Sequence, residues 1–228
     1  MKTFFLKIKY LFILSIISLL TFSFNNFKNT KTEYVYIDEI KGKKTETIWT
    51  IDEKDNQIYI EGSNPQEKIS IVTDSNYAFQ NFNYINTSKK TDYKIKRINN
   101  ILQCSGQIKN SKIADKDNNI GKTPWVQQFC FGLKKISISN ENSYIFYSVN
   151  PKNFSVNKIQ AKKKNIENIT INNKNYKAQK ITVSLTGFKS LFWSAQIWFD
   201  VEDGTMLLYK GNEGPNTPTT TVTFKSKK

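Results

Sequence analysis

From Thr32 to Ser226 apolar and polar residues alternate over short runs, the period of two that marks half-buried strands. Thr32–Ile40 and Thr45–Ile51 flank Lys41-Gly42-Lys43 and predict a hairpin. Asn56–Gly62 and Glu67–Asp74 are separated by Ser63-Asn64-Pro65-Gln66, a second turn. Tyr77–Ile85, Asp92–Ile98 and Ile101–Lys109 continue the meander, and the polar stretch Asp115–Lys122 predicts a turn. Ser143–Val149, Phe154–Ala161, Glu167–Asn173, Tyr176–Leu185, Trp193–Val201 and Thr219–Ser226 resume the strand pattern. One segment breaks the period. Thr123 suits a helix N-cap, Pro124 the first helical position, and Trp125, Phe129 and Leu133 recur every fourth residue until Gly132 and its neighbours end the run. The pattern predicts a mainly β domain of ten or more strands with one short principal helix.

In Trp193–Gly211 the alternation meets an exception. Trp193, Ala195, Ile197, Phe199 and Val201 form an apolar row, while Trp198 interrupts the polar one. Asp203-Gly204 is a two-residue type I′ hairpin signal. That register pairs Val201 with Met206 and Phe199 with Leu208 on the apolar face, and Trp198 with Tyr209 on the other. Trp198 and Tyr209 then either roof the outer side of the sheet or form a face for a partner.

The first residues are of another kind. Lys2, Lys7 and Lys9 precede an apolar run from Leu11 to Phe24, a basic region followed by a short apolar core. This is the design of a secretory signal peptide, and it is short of the ~20 apolar residues of a spanning helix. Thr21-Phe22-Ser23 is the best approximation to a cleavage site. Residues 1–23 are therefore read as a signal peptide, or as an uncleaved signal-anchor, and 24–228 as a single β-rich domain. Cleavage after Ser23 takes three lysines from a chain of 228 residues and charge +15, leaving 205 residues and +12.

Export changes the reading of charge and cysteine. Of 34 basic residues only Arg97 is arginine, the residue on which bidentate base and phosphate recognition leans, so a nucleic-acid partner is not expected. A solvated lysine-rich surface, or weak contact with anionic lipid headgroups, fits better. Cys104 and Cys130 are the only cysteines, and an oxidising compartment suggests one disulfide between them. Two buried free thiols are the alternative, because free cysteine packs as a small hydrophobe.

The absence of histidine removes Ser-His-Asp and Cys-His catalysis and histidine metal sites. No phosphate-binding or dinucleotide loop and no nucleophile elbow is present. No catalytic residue, metal ligand or cofactor is assigned, and the chain is read as non-enzymatic. Aromatic residues are abundant instead, with 16 Phe, 11 Tyr and 4 Trp. Core packing explains most of them, and an apolar ligand cavity would use the same residues.

Tyr176–Gly187, Phe192–Gly211 and Gly214–Phe224 resemble a group of bacterial periplasmic domains similar to the half-open β-barrels of the LolA and LolB lipoprotein carriers. The features that carry the resemblance are Trp198-Phe199, Asp203-Gly204, Leu208-Tyr209 and Gly214-Pro215-Asn216-Thr217-Pro218. It implies a curled antiparallel sheet, a half-open barrel, wrapped around the helix of Trp125–Leu133, in a protein of the periplasm. The cavity between sheet and helix would be lined by Phe79, Phe82, Trp125, Phe129, Leu133, Trp193, Ile197, Phe199 and Leu208, and would hold an apolar, acyl or lipoprotein-like partner. The alternative is an assembly protein of the envelope that docks another protein by its sheet edge or by Trp198 and Tyr209.

Overall fold

The structure is a computed structural model and describes residues 31–212 and 217–228. The expected signal segment and the Gly214-Pro215-Asn216 turn lie outside the described residues. The described residues form one antiparallel sheet of 14 strands, and its hairpins follow from turn chemistry. β1 (Lys31–Ile40) turns into β2 (Lys43–Lys54) through Lys41 and Gly42, both at positive φ. Asp55-Asn56 leads to β3 (Gln57–Ser63), and Lys109-Asn110 joins β7 (Ile101–Ile108) to β8 (Ser111–Asn119). Asn172-Asn173 joins β10 (Val156–Ile171) to β11 (Lys174–Leu185). Both residues of each pair lie at φ between 50 and 77°, the type I′ requirement that asparagine, aspartate and glycine meet at least cost. Between these lie β4 (Glu67–Asp74), β5 (Phe79–Asn86) and β6 (Thr91–Ile98), and later β9 (Ser143–Val149), β12 (Ser194–Asp200), β13 (Met206–Asn212) and β14 (Thr219–Lys227).

The strand order is β8-β7-β6-β5-β4-β3-β2-β1-β14-β13-β12-β11-β10-β9. First and last strands meet mid-sheet, with Tyr36 opposite Phe224, and β8 and β9 are the two edges. The sheet curls without closing, so the fold is a half-open barrel whose concave face forms one core drawn from both halves. Side chains tie the edges and the segment that follows β8. Arg97 of β6 donates to the carbonyls of Gly121 and Thr123 (2.9 and 3.0 Å), and Asn118 of β8 donates to the carbonyl of Phe154 (2.9 Å).

Residues 120–142 cross the concave face between the two edges. They hold α1 (Phe129–Gly132) and α2 (Lys134–Ile138), whose Phe131, Leu133 and Ile136 are at most 5% exposed. Phe131 meets Trp49 with ring centroids 5.0 Å apart, and Trp125 meets Phe79 at 5.8 Å. Two glycines are fixed by close approach. A Cβ on Gly62 would lie 2.5 Å from the Trp49 ring, and one on Gly132 would lie 2.3 Å from a Val126 methyl. No helix among the described residues is long and apolar enough to cross a membrane.

The helix begins five residues later than its capping signal at Thr123 predicts, with Gln128 rather than Thr123 at the N-cap position. The Pro124 carbonyl accepts from the Tyr147 N–H, and Val126 donates to the Tyr147 carbonyl (both 2.9 Å), so Trp125 pairs with the β9 edge as a parallel bridge. Gln127 extends the pairing with its side chain, bonding both the N–H and the carbonyl of Val149 at 3.0 Å. An edge with unpaired backbone groups outcompetes the first helical turn for the same donors and acceptors. The polar stretch after Ser111, expected as a turn from Asp115, is strand β8 as far as Asn119. One side of that strand has no partner strand, so lysines and aspartates suit it, and Asn118 is its buried inward residue.

The register of the β12–β13 hairpin also differs from the expected one. Asp200 N–H donates to the Thr205 carbonyl (2.8 Å), so the loop is the four residues Val201–Gly204 rather than Asp203-Gly204 alone. The Asp200 carboxylate accepts from the Glu202 N–H and the Asp203 carboxylate from the Thr205 N–H, both at 2.9 Å, which favours the wider loop. A bulge follows, in which Leu207 is the extra residue. Phe199 pairs with Met206, Trp198 with Leu208 and Ile197 with Tyr209. Tyr209 therefore shares the concave face with Ile197, and Leu208 shares the other face with Trp198.

Trp198 is nonetheless only 7% exposed. β10 is one long strand where two were expected, bulged between Lys163 and Ile166. Gln179 holds that bulge by donating to the carbonyl of Lys164 (2.7 Å). Three strands separate β10 from β14, yet Asn172 at the hairpin tip donates to the Phe224 carbonyl (3.1 Å). The tip is thus folded back across the sheet. Glu167 accepts from the Trp198 indole N–H (2.8 Å), and Lys180 lies 4.8 Å from the ring centroid and 3.3 Å from the Glu167 carboxylate.

Cys104 and Cys130 form no disulfide; both are buried free thiols. Cys130 on α1 lies near enough to β1 for its thiol to be influenced by the Asp38 charge, whereas Cys104 on β7 receives the Asn118 amide at 3.8 Å, with five strands between β7 and β1. Burial pushes the Cys104 thiol up to about 11 and the Cys130 thiol higher still.

Three outcomes follow from this packing. Trp198→Ala should lower the unfolding free energy in urea by about 3–5 kcal/mol. Neither thiol should react with iodoacetamide in the folded protein, both should react in denaturant, and added reductant should leave the melting temperature unchanged. At Asp203 burial acts upward, but hydrogen bonds from Lys227 (2.6 Å) and Thr205 outweigh it and hold the carboxyl down to about 2. A depressed carboxyl stabilises the fold above its unfolded value and loses that contribution as pH falls through its folded one. Both partners are about two-fifths exposed, so Asp203→Asn should cost about 1 kcal/mol at pH 7, with the difference from the parent closing between about pH 4 and pH 2.

Candidate functional site

The inward rows of β1 to β6 change character toward the same end of the barrel. Tyr34 and Tyr36 lead to Asp38 on β1, Ile51 and Trp49 to Thr47 on β2, and Ile60 and Gly62 to Asn64 just beyond β3. Ile71 and Ile69 lead to Glu67 on β4, Phe82 and Tyr84 to Asn86 on β5, and Ile95 and Tyr93 to Thr91 on β6. Period two together with the hairpin registers brings these polar ends onto one wall of the mouth.

The wall is a connected network. The Glu67 carboxylate accepts from the Tyr84 hydroxyl (2.6 Å), from Asn86 (2.8 Å) and from Asn64 (3.4 Å). Asn64 also donates to Thr47 (3.4 Å), whose hydroxyl donates to the Asp38 carboxylate. Thr47 and Asn86 are buried, while Asp38, Asn64, Glu67 and Tyr84 are half-buried and open to the mouth. Burial raises the Asp38 carboxyl above its ordinary range, against the Thr47 hydrogen bond and with the Glu67 charge. Burial and then donation to Glu67 raise the Tyr84 phenol.

The facing wall comes from the last strands and is apolar. Val222 of β14 sits opposite Asp38, Tyr209 opposite Val222, and Ile197 opposite Tyr209. Phe129 at the start of α1 lies 5.9 Å from Phe146 and 6.3 Å from Trp193, ring to ring, and the Trp193 indole N–H is fixed on the Asn212 carbonyl (2.7 Å). Val222, Tyr209, Phe129 and Trp193 are all half-buried.

The expected cavity residues divide accordingly. Phe79, Phe82, Trp125, Leu133, Ile197 and Phe199 are at most 2% exposed and pack against one another and the helices. Phe129 and Trp193 reach the mouth. Leu208 is on the far side of the sheet with Trp198, itself roofed beside a shallow groove of Lys164, Ile166, Lys180 and Gln196. The Trp125 indole N–H is buried with no acceptor among the described residues. No group of three or more His, Cys, Asp or Glu is placed to hold a metal among the described residues. Asp38, Thr47, Asn64, Glu67, Tyr84 and Asn86 were not singled out from the sequence; the signal was the polar residue ending each inward row.

No family model matches the chain, and no curated protein matches its sequence. Among solved structures it is similar to a β-barrel-like protein of a domain of unknown function, DUF1849, from Brucella abortus, with a TM-score of 0.60 at 7% identity over 87% of this chain and 97% of that one. The hypothetical lipoprotein YmcC from Escherichia coli aligns with a TM-score of 0.41 at 11% identity over 86% and 83% of the two chains. The first likeness is one of fold: the chain has a curled, barrel-like antiparallel sheet.

Proposed function

We propose that this is a non-enzymatic binding protein of the bacterial cell envelope that holds an amphiphile in the mouth of its half-open barrel. The observation that carries the reading is the difference between the two walls. One offers the carboxylate acceptors of Asp38 and Glu67, held in place by Thr47, Asn64, Tyr84 and Asn86; the other offers the half-exposed apolar surfaces of Phe129, Trp193, Tyr209 and Val222. A hydroxyl- or amine-bearing head would donate to the first while an acyl portion lies along the second. The deeper aromatic residues form the floor and fix the spacing of the walls. The signal-like pattern of the N-terminal sequence and the resemblance of the C-terminal sequence to lipoprotein carriers support the envelope setting.

Docking of another protein by strand addition at a sheet edge has less support. The β8 edge carries exposed Lys112, Asp115, Lys116 and Asp117, the charged pattern that blunts pairing, and the β9 edge is occupied by Trp125 and Gln127.

Protein purified from its own envelope should carry an extractable amphiphile, seen by native mass spectrometry, and should bind a fluorescent lysophosphatidylethanolamine probe, whose head carries both an amine and a hydroxyl. Glu67→Gln should weaken probe binding about tenfold, the worth of a hydrogen bond to a charged group, and Phe129→Ala by a similar factor through lost apolar contact. No co-purifying amphiphile together with no probe binding would overturn the reading.

A further inference from the structure

The mouth opens at the rim where β1–β2, β3–β4, β5–β6, β7–β8, β9–β10, β11–β12 and β13–β14 turn. Charge is segregated between this rim and the opposite one. The described residues of its turns include six lysines, Lys41, Lys89, Lys90, Lys109, Lys152 and Lys189, and no acid. All six are exposed, and none is in an ion pair among the described residues. The hairpin turns of the opposite rim carry Asp55, Glu202 and Asp203 and no lysine; the lysines at that end are Lys122, Lys134 and Lys135 of the crossing segment and those at the strand ends and the C-terminus. The turns of the mouth rim are thus basic while the hairpin turns of the other rim are acidic.

The same basic rim carries the most exposed apolar side chains of the described residues. A 3₁₀ turn, Gly187–Leu191, joins β11 to β12; Phe188 is 77% exposed, Leu191 76% and Phe192 59%. The Phe188 and Phe192 rings meet edge to face, centroids 5.8 Å apart, so the two act as one wedge. The wedge has a fixed base, since Thr186 N–H donates to the Lys158 carbonyl (3.1 Å) and Trp193 is held on Asn212. Water is a poor partner for three large apolar side chains grouped on one turn.

We propose that this rim docks on an anionic bilayer surface, with Phe188, Leu191 and Phe192 entering the boundary between headgroups and acyl chains and the six lysines meeting lipid phosphates. The distribution of charge selects a bilayer. The lysines lie on five turns around the rim rather than in one patch, and a plane of negative charge meets all of them at once. Apolar insertion and electrostatic attraction reinforce each other there, and the electrostatic part is screened by salt. This inference is independent of the ligand reading, although docking in this pose would bring the mouth to the membrane.

The buried native thiols allow a single surface cysteine to carry an environment-sensitive dye. Ser190→Cys places it in the apolar turn and Asn56→Cys on the opposite rim, in protein purified after expression of the full chain. With vesicles containing phosphatidylglycerol the dye at 190 should brighten and shift to the blue while the dye at 56 stays unchanged; high salt should reduce the response, and phosphatidylcholine alone should give little. Combined replacement of Phe188, Leu191 and Phe192 by serine should lower vesicle co-sedimentation at least about tenfold without changing the circular dichroism spectrum. Three results would overturn the proposal: no change at 190, equal changes at both positions, or a change at 190 that needs no vesicles and grows with protein concentration. The last would assign the rim to the acidic rim of a second copy.

Discussion

The pairing of β1 with β14 decides where the rest of the chain can lie. Once the first and last strands are neighbours, each half of the sheet must meander outward, and the only connection between the two outer edges is residues 120–142. A sheet of this width leaves an apolar concave face and two open edges, and both are unfavourable in water. One short segment meets both demands. Its first part lies against the β9 edge through Trp125 and Gln127, and its second part coils into α1 and α2 to place Phe131, Leu133 and Ile136 against the concave face. The helix is late because the edge is served first. The pairing also joins residues nearly the whole chain apart, so much of the loop-closure entropy falls on one contact.

The helices fill the barrel toward one end, and this gives the other end its chemistry. Where the helices are, the inward residues are Ile, Phe, Leu and Trp. Beyond the start of α1 no helix among the described residues covers the sheet, and the same rows continue as Asp38, Thr47, Glu67 and Asn86 on one side and as Tyr209 and Val222 on the other. A carboxylate such as Glu67 is tolerable there because it is half-open to solvent and has three donors. The polar wall belongs to the first six strands and the apolar wall to the last three, so the two meet only because β1 and β14 pair.

Most of the sheet was legible in the sequence because the physics that makes it is local. Alternation and the paired Asx, Lys and Gly turns at 41–42, 55–56, 109–110 and 172–173 act over a few residues. Errors arose where two local signals compete or where the deciding contact is distant. Asp203-Gly204 suits a two-residue turn, but the Asp200 and Asp203 carboxylates close a four-residue loop equally well, and a bulge then moves Tyr209 to the concave face. Thr123-Pro124 caps a helix in isolation; Tyr147 is beyond the reach of that signal. The cysteines are the simplest case. Composition pairs them, whereas strand order separates them by the breadth of one half of the sheet. The polar wall of the mouth was written in the inward rows, yet it becomes a site only when the registers align six strands.

Trp198 shows how a departure from alternation can report tertiary structure. Its row is otherwise polar, which for a surface strand would leave a large ring in water. The long β10–β11 hairpin resolves this by bending back at the Lys163–Ile166 bulge until Asn172 reaches β14, bringing Glu167 and Lys180 over the indole. The outer face of β12 is thereby covered on the side opposite the core, so β11 and β12 are held from both faces. These are the two strands that carry the Gly187–Leu191 turn and its exposed Phe188, Leu191 and Phe192. A turn that presents apolar side chains to a membrane loses less entropy on docking if its base is already ordered. The buried tryptophan on the outer face and the exposed phenylalanines at the rim are thus linked through the same pair of strands, the first fixing the platform on which the second stand.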